Sequence, residues 1–308
     1  MTFHNRTGEA YIPLGQAGFD FLSQPAVETA PSEQDGLYFR GRTFPDLQAE
    51  LRQCLSGEKP FQDLSIDAVQ AQNEIGWKQP HGSMQAGDRF VNKAWEEQRE
   101  VDEALEDWFE DRQNDQTTEH LLEELGDFNW CVTALASNAG AVVDSALKQR
   151  TYDYLAGTRQ YIDGELVSTK WHGAAATVAT KFEPLTIGDI DGLIEAGFMP
   201  RFSPAMNLYD DEPPGSATEY AFNYSFYAGL LQNHTRLLFD ERNLLVGDDR
   251  DKLVAATGQI AAEVYFRTAT MAHMAGSSLA EVIETNVRKT SWRVENNAVD
   301  KTDPNRRT

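Results

Sequence analysis

The stretch that decides the fold is DRFVNKAWEEQREVDEALEDWFED at 88–111, followed by TEHLLEELGDFNWCVTALASN at 118–138. In the first run Phe90, Ala94, Val101, Leu105 and Trp108 fall near one face, with acids on the other, which is the period of an amphipathic helix. In the second, Leu121, Leu122, Leu125, Phe128, Val132 and Leu135 supply the apolar stripe. Only a polar stretch, Asp111 to Thr117, separates the two, and so short a connection predicts an antiparallel helical hairpin.

Working outward, helical spacing recurs over Phe44–Leu55, Val142–Leu155, Ile187–Ala196, Thr218–Asn243, Asp248–Ala275 and from Ser277 to about Arg293. The segment from Tyr161 to Thr180 shows no strand alternation, and Pro13, Pro25, Pro31 and Pro45 punctuate the irregular beginning. The expectation is an all-α protein in which two four-helix-bundle-like halves share one chain. On that reading 1–60 is an N-terminal arm with the first helix, and 61–160 is the half that carries the hairpin above. Residues 161–190 are a connector, and 191–308 are the second half.

With 41% hydrophobic residues a real core can be buried. The 49 Asp and Glu against 27 Lys and Arg give a formal charge of −22, which repels a phosphate backbone and excludes non-specific binding to duplex nucleic acid. Small nucleotides are not excluded, because a bound divalent cation inverts the local field. No run of about 18 apolar residues is present and no apolar leader follows Met1, so the expected partners do not include a membrane. Cys54 and Cys131 lie in no zinc-ligand spacing and read as reduced core thiols of a cytoplasmic protein.

One internal echo stands out. LLEELGD at 121–127 and LVAATGQ at 253–259 each lead into an apolar helical stretch. Matching Gly126 to Gly258 sets Asp127 over Gln259 and Glu124 over Ala256, and sets Gly229 and Gln232 opposite Glu97 and Glu100. Residues further on need a gap of about one turn. If this is a duplication, the second copy has lost all four acids.

Those acids carry the chemistry. Glu97 and Glu100 are three apart on one helix, as are Glu124 and Asp127 on the next, so each pair shares a face. In an antiparallel hairpin the two pairs can converge, and four carboxylates repel one another unless a cation holds them. Oxygen-only ligands suit a hard ion, Mg²⁺ or Mn²⁺. Gly126 inside an apolar helix costs about 1 kcal/mol relative to Ala, which points to the close approach of another element. The competing view is a solvated acidic face on an acidic protein. A di-iron bundle site is disfavoured because no His occupies the Glu-x-x-His position.

Glu97-x-x-Glu100 followed by Glu124-x-x-Asp127, with Glu96 completing Glu-Glu-x-x-Glu, resembles the metal motif of the MazG-like all-α nucleoside triphosphate pyrophosphohydrolases. That superfamily also contains dimeric dUTPases and phosphoribosyl-ATP pyrophosphohydrolases. Its usual ending, Asn-x-x-Lys with a following Arg, is met only in the second half, as Asn286, Lys289 and Arg293. Asp303-Pro304-Asn305-Arg306 is similar to the tail of some members. The departure is therefore reciprocal: the acids are complete in the first half and the cationic ending in the second.

The resemblance implies one composite site. Glu97, Glu100, Glu124 and Asp127 would hold Mg²⁺, or Mn²⁺, and Glu96 would orient or deprotonate water, with Glu123 its rival. Asn286, Lys289, Arg293, Asn305 and Arg306 would bind phosphates. Trp77, Phe90 and Trp95 are candidates for stacking on a base, though core packing explains each as well. The implied activity converts a nucleoside triphosphate to monophosphate and pyrophosphate. The alternatives are hydrolysis of dUTP, an alarmone or phosphoribosyl-ATP, or a nucleotide sensor or interaction protein with weak chemistry. The implied assembly is an intramolecular pseudo-dimer, as a monomer or homodimer.

Overall fold

The computed structural model describes residues 42–72, 82–112, 114–157, 161–162, 165–166, 170–198, 217–239 and 245–295. The arm before residue 42 lies outside them, as do Trp77, Asn305 and Arg306. The protein is all-α. In chain order the described helices are α1 (Phe44–Leu55), α2 (Ile66–Gln72), α3 (Met84–Glu110), α4 (Asp115–Ala139), α5 (Val143–Gly157), α6 (Lys170–Thr180), α7 (Ile187–Glu195), α8 (Ala217–Phe239), α9 (Asp248–Met274) and α10 (Leu279–Glu295). The described strands are confined to a two-residue hairpin, Tyr161–Ile162 against Glu165–Leu166.

The hairpin of α3 and α4 forms where the sequence demands it. Ser83 caps α3 by accepting from the Ala86 amide, and Asn114 caps α4 by accepting from the Gln116 amide. Both are short polar side chains that satisfy otherwise orphaned donors. Gly140 ends α4 with φ 85°, a left-handed position that glycine occupies without a Cβ penalty. Gly276, with φ 78°, follows α9 in the same way.

The four longest helices close into a ring: α3 packs on α4, α4 on α9, α9 on α8, and α8 back on α3. The core inside it includes Leu105, Leu125, Phe128, Tyr224, Ile260 and Tyr265, all fully buried. Outside the ring, each third helix lies on the other hairpin, α5 against α9 and α10 against α4.

Two shorter helices set those outer helices in place. Gln70 of α2 accepts from the Val143 amide at the start of α5 (2.9 Å) and donates to the Ala141 carbonyl (2.7 Å). Asp191 of α7 accepts from the Leu279 and Ala280 amides at the start of α10 (2.7 and 3.1 Å). The segments leading into α2 and α7 meet in an isolated antiparallel bridge, Ser65 opposite Thr186. The Ile66 amide donates to Leu185 (2.8 Å) and the Ile187 amide to Leu64 (2.9 Å).

Periodicity located eight of these helices to within a few residues. No helical spacing marks α2, and α6 lies in the stretch expected to be a connector. α2 has seven residues, too few turns to display a stripe, and α6 (KWHGAAATVAT) is built largely of Ala, Gly and Thr, which mark no apolar face. The boundary expected at 190/191 falls inside α7.

Candidate metal centre

The acids predicted from spacing come together where α3 and α4 face each other. Glu97, Glu100 and Glu124 each offer a carboxylate oxygen, and these atoms all lie within 4.8 Å of one another. Glu97 is 2% exposed and Glu124 9%. Each keeps one buried oxygen, Oε2, with no hydrogen-bond partner among the described residues. Burial raises both carboxyls to about 7. For Glu124 the neighbouring Asp127, Glu100 and Glu97 add to the rise; for Glu97 Asp127 adds to it while Lys93 opposes it. Buried carboxylate oxygens without partners are costly, and a cluster of carboxylates is the donor set that a hard divalent cation takes.

Asp127 stands beside this group, but its carboxylate is engaged with α10. Asn286 Nδ2 donates to Oδ1 (2.5 Å) and Lys289 Nζ to Oδ2 (2.7 Å). Lys289 also binds Glu123 (2.9 Å). Burial alone would depress the Lys289 ammonium, and the pull of Asp127 and Glu123 outweighs it, so its pKa is raised. The same lysine lowers Glu123. Arg293, one turn further along α10, is near enough to act on Glu123 as well.

Gly126 lets α10 approach this closely. A Cβ there would stand 3.2 Å from the Val282 carbonyl oxygen and 3.2 Å from Asn286 Cβ. The close approach that a mid-helix glycine implied is thus made by the helix carrying the expected cationic ending.

Spacing alone missed Lys93. It lies one turn before Glu97 and pairs with it, and it reaches Glu96 at 3.6 Å. A Lys four residues before a Glu is a legible signal, since such positions neighbour each other on a helix. His120, one turn before Glu124, brings Nδ1 to 3.6 Å from its Oε1. Glu96 is exposed at the rim, 65% by side chain.

Of the aromatic candidates, Phe90 and Trp95 lie among the described residues, and both pack against other helices. Phe90 is buried in the core with its ring edge-on to Trp130, centroids 5.6 Å apart. Trp95 is partly buried and packs between α3 and α8, beside Gly229. Cys54 and Cys131 are buried free thiols.

No family model matches the chain, and no curated protein or solved structure does either. Among the described residues no helix is long and apolar enough to cross a membrane.

Proposed function

We propose that the carboxylate cluster between α3 and α4 is the metal centre of a Mg²⁺-dependent nucleoside triphosphate pyrophosphohydrolase. The observation that carries this reading is that Glu97 and Glu124, whose carboxylates meet that of Glu100 within 4.8 Å, each keep a buried oxygen with no hydrogen-bond partner among the described residues. A solvated acidic face would leave those oxygens in water. Mg²⁺, or Mn²⁺, held by these glutamates would neutralise phosphate charge and acidify a water for in-line attack. Lys289, Asn286 and Arg293 lie along the side of the cluster reached by α10, where they can take phosphate oxygens. Glu96, whose side chain is exposed, would orient water or take its proton. Water attacks the α-phosphorus, the bond to the bridging oxygen breaks, and pyrophosphate leaves with the nucleoside monophosphate as the other product.

The same reading makes the chain a fused pair of related units. Its support is reciprocal: the Ser65–Thr186 bridge, the capping of α5 by Gln70 and of α10 by Asp191, and the exchange of third helices between hairpins. The acids then come from one unit and Asn286 and Lys289 from the other.

The test is pyrophosphate release from a panel of ribo- and deoxyribonucleoside triphosphates, with Mg²⁺, Mn²⁺ or EDTA, beside Glu124→Gln. Metal-dependent release, lost in the variant, is the expected result. Intact metal binding without turnover of any nucleotide would favour a sensor.

A further inference from the structure

Granted the metal centre just proposed, we infer that Lys93 competes with the metal for Glu97 and gives way to it by shifting to Glu96. One turn of α3 carries all three groups. Lys93 precedes Glu96 by three residues and Glu97 by four, so both carboxylates neighbour it on the helix surface. Its ammonium pairs with Glu97, which is buried and is one of the three acids that converge within 4.8 Å. Glu96 stands 3.6 Å from the same ammonium and is exposed. The two partners therefore differ in kind: one is a buried member of the cluster, the other lies in solvent. Lys289, by contrast, pairs with Asp127 and Glu123.

The physical reason is repulsion between like charges. A divalent cation in the cluster and the Lys93 ammonium are both drawn to Glu97, whose single negative charge cannot offset them together. The repulsion remains whichever Glu97 oxygen the metal takes, and partial burial limits its screening by salt. Once the metal has neutralised Glu97, the carboxylate of Glu96 keeps its charge within reach of the ammonium. The Lys93 side chain is itself partly exposed, so the outward shift leads into water, where an ammonium is well solvated. Lys93 acts on the metal through Glu97 and is a positioning residue, not a ligand. It sets how tightly the centre holds its ion.

The experiment uses the full chain and Mn²⁺ as probe, with affinity read by electron paramagnetic resonance. Lys93→Met keeps an unbranched side chain, removes the charge and should tighten Mn²⁺ about tenfold, the size that water-like screening leaves for a dication and an ammonium sharing one carboxylate. Lys93→Arg keeps the charge and should stay within about twofold of the wild type. Arg99→Met removes an equal charge from an exposed position on the same helix and should change affinity less than about twofold. Affinity in Lys93→Met equal to or weaker than the wild type would overturn the inference. Equal tightening in Arg99→Met would overturn it too, by reducing the effect to net charge. Glu124→Gln is the control for the centre and should weaken Mn²⁺ about tenfold or more. If it binds like the wild type, the metal centre itself is wrong and the inference falls with it, a distinct result. A variant-free measurement covers the case in which Lys93→Met does not fold. A lysine-selective acylating reagent, read by peptide mass spectrometry, should modify Lys93 of the wild type several times faster with saturating Mg²⁺ than with EDTA. Lys252 of α9, which pairs with Asp249, is the internal reference. Equal or slower modification with Mg²⁺ would mean that Lys93 stays on Glu97, and the inference would fail.

Discussion

Asp127 and Glu263 stand at the same distance before their glycine caps, Gly140 and Gly276, and each is met by the third helix of the other hairpin. Around Asp127 that helix brings Asn286 and Lys289. Around Glu263 it brings Arg150, in direct contact, and Tyr154, whose hydroxyl donates at 2.8 Å. Arg267, one turn along α9 and 1% exposed, adds a second guanidinium 3.7 Å from Glu263 and donates to the Tyr227 hydroxyl (3.3 Å). Two guanidinium groups, that of Arg267 fully buried and that of Arg150 partly so, thus face one carboxylate. In the Asp127 region Glu97, Glu100 and Glu124 crowd together, with Lys93 pairing with Glu97 and Lys289 with Asp127 and Glu123. The lesson is that one arrangement of helices gives two kinds of interior. One neutralises its charge from within, and the other leaves a deficit that an external cation can fill.

The strongest way to break this comparison is to neutralise one carboxylate in each region and measure urea unfolding of the metal-free chain. Glu263→Gln takes the carboxylate from the buried Arg267 and the partly buried Arg150 and should cost about 3–5 kcal/mol. Glu124→Gln removes a buried charge that keeps one oxygen unpartnered and should stabilise the metal-free chain by about 1–3 kcal/mol. Two changes of the same sign would mean that the regions do not differ in charge balance.

Next in size is the response to metal. A divalent cation at a hundred times its dissociation constant should stabilise the wild type by about 2.7 kcal/mol. The gain should vanish with EDTA and in Glu124→Gln, yet survive in Arg150→Met to the extent that this variant folds. Melting temperature with and without Mg²⁺ reads it.

The pH dependence is smaller. Glu97 and Glu124 titrate near 7 in the folded chain, above the ordinary carboxylate value, because burial disfavours their charge. Between the unfolded and folded values the native state holds more protons, so the stability of the metal-free chain falls as pH rises through that window. The protonated form is the favoured one, and the loss is complete above the folded value. Mg²⁺ should flatten the slope by binding the ionised forms. A metal-free chain that gains stability from pH 5 to 8 through these groups would contradict their burial.

The smallest effect is at the two glycines of the helix contacts. Gly126→Ala gains about 1 kcal/mol of helix propensity and meets α10 at 3.2 Å, so its net change should stay under about 1 kcal/mol. Gly258→Ala meets Ala146 and Ala141 Cβ at 3.2 and 3.3 Å and should behave alike in stability. Only the first should speed amide exchange across α10.

Much of this was legible before the structure. The helical hairpin followed from the stripe of Leu121, Leu125, Phe128 and Val132. The facing acid pairs followed from a spacing of three. The echo between Gly126 and Gly258 was read one turn out of step with the caps, since α9 carries an extra turn between Gly258 and Gly276. Counting from the caps, Asp127 matches Glu263 rather than Gln259, and Asn286 matches Arg150. The sequence match already needs a gap of about one turn beyond the two glycines, and the caps show where the two helices physically stop.

What the sequence determined by itself is whatever depends on neighbours along the chain. Helix period, capping by Ser83, Asn114 and Gly140, the pairing of Lys93 with Glu97, and the presentation of Glu97 with Glu100 all arise within a few residues. What only the tertiary structure decided is which distant group meets each carboxylate. That Asp127 is held by Asn286 and Lys289 while Glu97 and Glu124 keep unpartnered oxygens depends on where α10 lands on α4. That landing is set by core packing, by the cap at Asp191 and by the missing Cβ of Gly126. Burial and pairing are properties of a three-dimensional environment, and they fix the charge state of a carboxylate far more than its place in a motif.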